Sequence, residues 1–225
     1  MNAPFIRHAL IMAAGRGLRM MPLTESIPKP MVTIDGVTLI SKGIDFLKKK
    51  IGNIHITVGY KGNMVAEHVT QMGVNSIFNT DGRGNAWWVY HTLMHLIDEP
   101  VLVLTCDNIV ELDIALLANE YAALGSPPCL VVPVPPVKGL EGDYIFHEQN
   151  IVTELSREKP SGIYCSGIQI INPAAVNRLT QPTENFYTLW SELMAQKKLY
   201  CSNLYPSQWT AIDTMEQLKN LSGKN

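Results

Sequence analysis

What this 225-residue sequence lacks narrows its reading first. It has no strong surplus of either charge, with a formal net charge of −2 at pH 7. That balance argues against nucleic-acid binding, which rests on a basic surface. Its four cysteines, Cys106, Cys129, Cys165 and Cys201, form no C-x-x-C pair. A zinc knuckle is therefore not expected, and the thiols read as reduced groups of a cytoplasmic protein. The apolar stretch near residues 9–14 is too short to span a membrane and has no cleavage site after it, so neither a membrane partner nor a signal peptide is expected. Internal repeats and a hexapeptide β-helix pattern are both absent. His91 and His95 stand four apart, but H-E-x-x-H is missing and no third ligand is evident, so structural roles are expected for both. No Ser-His-Asp grouping has motif support. No Walker A string occurs, and the dinucleotide fingerprint fails at its third glycine, where Met20 stands.

What is there describes an ordinary globule. Apolar residues make up 46 % and charged residues 17 % of the chain, enough to bury a real core. The expected class is α/β: a Rossmann-like mixed, mainly parallel sheet flanked by helices. Residues 8–14, Ile54–Val58 and Val74–Phe78 read as strands, and Val101–Thr105 as a continuously apolar central strand. Between them, 38–51, 62–72 and Ala86–Ile97 read as helices. After about residue 125 the prolines at 127, 128, 133, 135 and 136 break up helix. Cys129–Val132, Tyr144–Phe146, Ile151–Thr153 and Ile168–Ile171 are strand-like there. Tyr187–Gln196 and Met215–Leu221 close the chain as helices. One domain over residues 1–225 is expected, with a nucleotide-binding half over about 1–125 and an acceptor half over about 126–225. The second half is expected to extend the sheet and cover the second substrate.

The densest signal is Leu10-Ile-Met-Ala-Ala-Gly-Arg-Gly-Leu-Arg-Met-Met-Pro-Leu-Thr24, followed by Pro28-Lys29-Pro30. A buried strand runs into a Gly15-Arg16-Gly17 turn. Glycines let backbone approach a phosphate closely. Arg19 and Lys29 then add two fixed cations. A tight strand-to-helix turn explains the glycines alone; it does not explain the cations and the Pro-Lys-Pro together. At the end of the central strand stands Leu104-Thr-Cys-Asp-Asn108, and ligands of open α/β sheets bind at the carboxyl ends of strands. Asp107 is thus placed for a hard cation such as Mg²⁺, which needs only one or two carboxylates.

These segments resemble the signature G-x-G-x-R-[LM]-x-P-L-T…P-K-P of the sugar-phosphate nucleotidyltransferase superfamily, which includes nucleotide-sugar pyrophosphorylases and small phosphocholine cytidylyltransferases. The resemblance implies the nucleotide-diphospho-sugar transferase fold and a reaction of a nucleoside triphosphate with a phosphorylated small molecule. It implies Arg19, Lys29 and Asp107 as catalytic residues. It places Met12, Ala13, Ala14, Gly15, Arg16, Gly17, Asn79, Gly84 and Asn85, with Arg19 and Lys29, on the nucleotide. The string Gln208-Trp-Thr-Ala-Ile-Asp213 resembles the late W-x-D of the family and implies Asp213 as second Mg²⁺ ligand. Its spacing departs from the pattern, with three residues between Trp209 and Asp213; the competing role for Asp213 is the N-cap of the last helix. Arg157-Glu-Lys-Pro160 resembles E-K-P and implies Glu158 and Lys159 as acceptor contacts, bordered by Ser166 and Gly167. The implied acceptor is a sugar 1-phosphate. Asn85-Ala-Trp-Trp88 is nearer to the phosphocholine-type members and keeps a small phosphorylated alcohol as the alternative, and a non-catalytic nucleotide-binding regulatory subunit is the reading of another class. A homo-oligomer is compatible with all three.

Overall fold

The computed structural model describes residues 5–137 and 142–222. In chain order the strands are β1 (His8–Ala13), β2 (Thr33–Ile34), β3 (Val37–Thr38), β4 (Asn53–Val58), β5 (Ser76–Asn79), β6 (Val101–Thr105), β7 (Asn108–Glu111), β8 (Cys129–Val134), β9 (Tyr144–Glu148), β10 (Ile151–Ser156), β11 (Tyr164–Ile171), β12 (Leu199–Cys201) and β13 (Gln208–Ala211). The helices are α1 (Leu23–Ser26), α2 (Leu39–Lys48), α3 (Gly62–Gln71), α4 (Trp87–His91), α5 (Ile114–Ala123), α6 (Pro173–Leu179), α7 (Phe186–Ala195) and α8 (Met215–Ser222).

Nine strands form one sheet in the order β5-β4-β1-β6-β11-β8-β12-β10-β9. The first four in that order pair in parallel. Antiparallel pairs enter with the second half, where β11 wedges between β6 and β8. The two halves of the chain therefore share one sheet.

The strands β1 and β6 are apolar at nearly every position because both faces are covered. In β1, Ala9, Ile11 and Ala13 pack into one core with residues of α2, α3 and α5. Leu10 packs into the opposite core with residues of α4 and α7. The strand period of two divides these side chains between the layers. A third, smaller core joins Met20, Val32, Ile34, Leu39 and Ile212 to the last helix.

Several elements depart from the sequence reading, two of them helices between β5 and β8. The helix expected over Ala86–Ile97 stops at His91. Thr92 is extended, and its Oγ1 both donates to Trp88 O at 2.7 Å and accepts from Met94 N at 3.2 Å, which starts a 3₁₀ turn at Leu93–Leu96. Threonine offers the backbone an alternative to the helical ladder. His91 stacks on Trp87 with ring centroids 4.9 Å apart, and His95 Nδ1 pairs with Thr92 O at 2.7 Å. The second departure is α5, which follows an Asp113 cap accepting from Ala115 N and Leu116 N.

Candidate active site

A cleft of about 950 Å³ opens where the carboxyl ends of β1 and β6 meet the loop after β5. Its floor is the turn Ala14–Arg19, its wall is Thr80–Asn85, and Lys29, Asp107 and Asp213 converge at one end. The turn depends on Gly17, which sits at φ +65; a Cβ there would fall 2.8 Å from Lys29 Cβ. Glycine alone accepts both the left-handed backbone and that approach. Thr24 Oγ1 then donates to Gly17 O at 2.9 Å and ties the turn to α1.

Lys29 is 8 % exposed. Its Nζ donates to Asp107 Oδ2 and to Asp213 Oδ1, each at 2.6 Å. Arg19 Nη2 lies 3.0 Å from the same Asp213 oxygen. Two carboxylates and two cations thus form one neutral cluster. Burial pushes the Lys29 ammonium toward deprotonation, but Asp107 and Asp213 more than offset this and hold its pKa above the ordinary lysine value. Burial likewise opposes the Asp107 charge, but the Lys29 ammonium and a hydrogen bond from the Thr105 side chain hold its pKa below the ordinary carboxylate value.

A short ladder brings Asp213 to Asp107. β13 pairs antiparallel with β7, Ala211 opposite Asn108. Ile212 N then donates to Asp107 O at 3.0 Å. The competing cap role falls to Thr214: its Oγ1 accepts from Gln217 N at 3.2 Å while Gln217 Oε1 accepts from Thr214 N at 3.0 Å. This reciprocal capping box leaves the Asp213 carboxylate to the cleft.

The cleft wall is held by the chain entering α7. Gly84 N donates to Glu184 Oε2 at 2.7 Å, Ala86 N to Glu184 O at 3.1 Å, and Phe186 N to Asn85 Oδ1 at 3.0 Å. A Cβ on Gly84 would sit 1.8 Å from Glu184 O, so only glycine permits this contact.

Of the residues assigned to the nucleotide, Met12, Ala14, Gly15, Arg16, Gly17, Arg19, Lys29, Gly84 and Asn85 line this cleft. Ala13 instead points into the core, 1 % exposed, and Asn79 turns outward to accept from Asp81 N. Strand alternation accounts for Ala13, since Met12 and Ala14 flank it on the other face. Ser166 is internal, donating to Val132 O at 2.6 Å. Gly167 lines a smaller cavity next to the cleft. Glu158 is exposed, and Lys159 lies outside the cleft, 2.8 Å from Glu154 and 4.3 Å from the Phe146 ring centre. Sequence reasoning missed Thr57, Thr80 and Thr105, which line the cleft. Thr105 could be read from its place at a strand end two residues before Asp107. Trp88 lines the cleft and belongs to the core as well.

Two carboxylate oxygens that share one ammonium lie within twice 2.6 Å of each other. Such an all-oxygen donor pair fits a hard divalent cation. No group of three or more His, Cys, Asp or Glu suited to a metal occurs among the described residues, and no helix among them is long and apolar enough to cross a membrane.

Comparison with known proteins gives the family. Mannose-1-phosphate guanyltransferase of Pichia angusta is 26 % identical over 222 residues, 90 % of this chain and 60 % of that protein. Choline-phosphate cytidylyltransferase of Streptococcus pneumoniae is 42 % identical over 72 residues, 32 % of this chain and 31 % of that one. The chain therefore spans less than two thirds of either relative. A putative glucose-1-phosphate thymidylyltransferase from Bacillus anthracis, solved with sucrose, shares the fold with a TM-score of 0.78 at 18 % identity, over 96 % of this chain and 94 % of that one. The sequence model described as nucleotidyl transferase matches residues 8–169. With the glycine turn, the two cations and the paired carboxylates all in one cleft, the chain belongs to the nucleotidyl transferase family.

Proposed function

We propose that the chain transfers a nucleoside monophosphate from a nucleoside triphosphate to a sugar 1-phosphate and releases pyrophosphate. The observation that carries the reading is the Lys29–Asp107–Asp213 cluster at the end of a glycine-turn cleft. The relatives named for sugar phosphates support the choice of acceptor.

The nucleophile, a phosphate oxygen of the acceptor, is already anionic, so no general base is needed. It forms a bond to the α-phosphorus while the bond from that phosphorus to the bridging oxygen of the β-phosphate breaks. The residues have to hold the two phosphates in line and neutralise charge. The Ala14–Arg19 turn supports the triphosphate, with Arg19 toward the departing pyrophosphate. Lys29 lies between the carboxylates and the turn and steadies the α-phosphate against the incoming oxygen. Asp107 and Asp213 would hold Mg²⁺, which supplies positive charge to the reacting phosphates when bound.

Glu158 and Lys159 stand as acceptor contacts on their motif alone. The exposed Lys159–Glu154 pair is worth roughly 0–1 kcal/mol, and the ammonium over the Phe146 ring adds about 0.5–1 kcal/mol.

A small phosphorylated alcohol such as phosphocholine is the second reading, favoured by the similarity to the Streptococcus protein. Pyrophosphate release, assayed over each pairing of the common triphosphates with sugar 1-phosphates and phosphocholine, tests both readings. Steady release with a sugar 1-phosphate supports the first reading, and release with phosphocholine alone supports the second.

A further inference from the structure

Arg16, Arg19, Lys29 and Arg83 are the cations that line the cleft. Carboxylates engage three of them. Lys29 and Arg19 belong to the cluster with Asp107 and Asp213, and Arg83 Nη1 lies 4.0 Å from Glu184 Oε1. Arg16 has no carboxylate partner among the described residues. Its guanidinium carbon instead stands over the ring of Tyr60, 5.0 Å from the ring centre. That is within reach of a cation–π contact. A ring contact uses up no N–H, so the guanidinium donors stay available to phosphate oxygens.

Tyr60 is itself tied to both ends of the glycine turn. Its N donates to Ala14 O at 3.1 Å, where the turn begins, and its hydroxyl donates to Thr24 O at 3.2 Å, beyond the turn. The next residue extends the brace. Lys61 Nζ donates to Glu25 O at 2.5 Å and to Ser26 O at 2.8 Å, carbonyls that the C-terminal end of α1 leaves without helical partners. Lys61 Nζ also lies 5.7 Å from the Tyr60 ring centre. The loop after β4 thus spans the segment that carries Arg16, from its entry to its exit. The ring is half-buried and held at two atoms, while Arg16 is exposed. A long side chain loses rotamer freedom when it grips a ligand. A fixed ring that already holds it removes part of that cost.

We propose that Tyr60 is a positioning residue for the nucleotide: its ring holds Arg16 over the turn, and Arg16 brings the unpaired positive charge of the cleft to the triphosphate tail. The inference rests on the transfer reaction proposed above and adds to it a residue outside the glycine turn. Tyr60 is not among the residues that line the cleft, so it acts through Arg16. The cluster of Lys29, Arg19, Asp107 and Asp213 is neutral as a whole and by itself offsets little of a polyanion. Arg16 carries no such internal balance, so its whole charge serves the ligand.

The test is calorimetric titration with Mg²⁺ and whichever of CTP, UTP, GTP and dTTP binds the wild-type chain most tightly, and then with the matching nucleoside monophosphate, which lacks the tail. Tyr60→Leu removes the ring and should raise the triphosphate Kd by about three- to tenfold, while the monophosphate Kd stays within about twofold. Tyr60→Phe keeps the ring and should stay within about twofold for both. Arg16→Ala should raise the triphosphate Kd by about tenfold or more. Adding Tyr60→Leu to Arg16→Ala should then cost less than about twofold more, because the two act through one contact. Thermal unfolding verifies that each variant is folded; if Tyr60→Leu does not fold, Tyr60→Met carries the same comparison. An unchanged triphosphate Kd in Tyr60→Leu, an equal loss in Tyr60→Phe, an equal loss for the monophosphate, or full additivity with Arg16→Ala overturns the role of Tyr60 and leaves the transferase reading standing. The expected pattern of Kd values in a chain that releases no pyrophosphate with any acceptor overturns the transferase reading and keeps the Tyr60–Arg16 assignment. Binding of none of the four triphosphates overturns both.

Discussion

Lys29 Nζ donates to Asp107 Oδ2 at 2.6 Å across 78 residues of sequence. The pair joins the Pro-Lys-Pro segment to the end of the central strand, and Asp213 closes it from the far end of the chain. Because the cluster is partly buried, its members are expected to act as a unit. Lys29→Met would leave two carboxylates facing each other without their shared ammonium. Unfolding in urea should show a loss of a few kcal/mol, below the ~3–5 kcal/mol of a fully buried pair, because both carboxylates keep some solvent. Pyrophosphate release should fall by several orders of magnitude. Full activity in a folded Lys29→Met protein would remove Lys29 from the reaction.

Metal dependence tests Asp213 separately. With triphosphate present, Mg²⁺ should raise the melting temperature of the wild-type chain by linkage. Asp213→Asn keeps the shape and removes the charge, so the Mg²⁺-dependent part of that rise should shrink. An undiminished Mg²⁺ response would mean that Asp213 serves only to hold Lys29 and Arg19.

Gly84→Ala tests the wall of the cleft. The added methyl would collide with Glu184 O, so the loop from Thr80 to Asn85 must move. The triphosphate KM should rise by about tenfold or more, an effect of ~1.4 kcal/mol, with the acceptor KM moving less. Equal shifts in both would show that the loop serves the whole site.

The acid response is set elsewhere. His55 Nε2 faces His8 Nδ1 at 3.1 Å, and Ser76 Oγ meets His55 Nδ1 at 2.6 Å. Burial, with a smaller contribution from His8, lowers the His55 pKa to about 4. The unfolded chain therefore binds the proton first. Stability is complete above the unfolded histidine value of ~6.5 and is lost as pH falls toward 4. Asp107 acts in the same direction at lower pH: its depressed pKa stabilises the fold above the unfolded value of ~3.9, and that share is lost as pH falls through its folded value. Lys29, with its pKa raised, contributes fully below ~10.5 and loses that share only at higher pH. Melting temperatures from pH 7 to 4.5 should thus fall more steeply for the wild type than for His55→Gln. Parallel slopes would assign the acid sensitivity to other groups.

Local sequence carried much of this fold. β1 and β6 are apolar at nearly every position because both faces are covered, and the turn after β1 depends on Gly17. The Ala14–Arg19 floor, Lys29 and Asp107 were legible for that reason. What stayed hidden depends on pairing between distant segments. Nothing local in Gln208–Ala211 shows that it pairs with β7, yet that ladder brings Asp213 to Asp107. Glu184 reads as a surface acid until α7 lays it against Gly84. Lys159 shows the converse: its motif was plain, and its position lies outside the cleft.

Phosphorus NMR of one reaction tests the central claim most directly. The chain is mixed with Mg²⁺, a nucleoside triphosphate and a sugar 1-phosphate, and the phosphorus resonances are followed with time. The expected result is equal growth of pyrophosphate and of a nucleoside-diphospho-sugar as both substrates decline, absent with Lys29→Met. Triphosphate consumed to orthophosphate with the sugar phosphate untouched, or no change in any resonance with any triphosphate and sugar phosphate tried, would contradict the account.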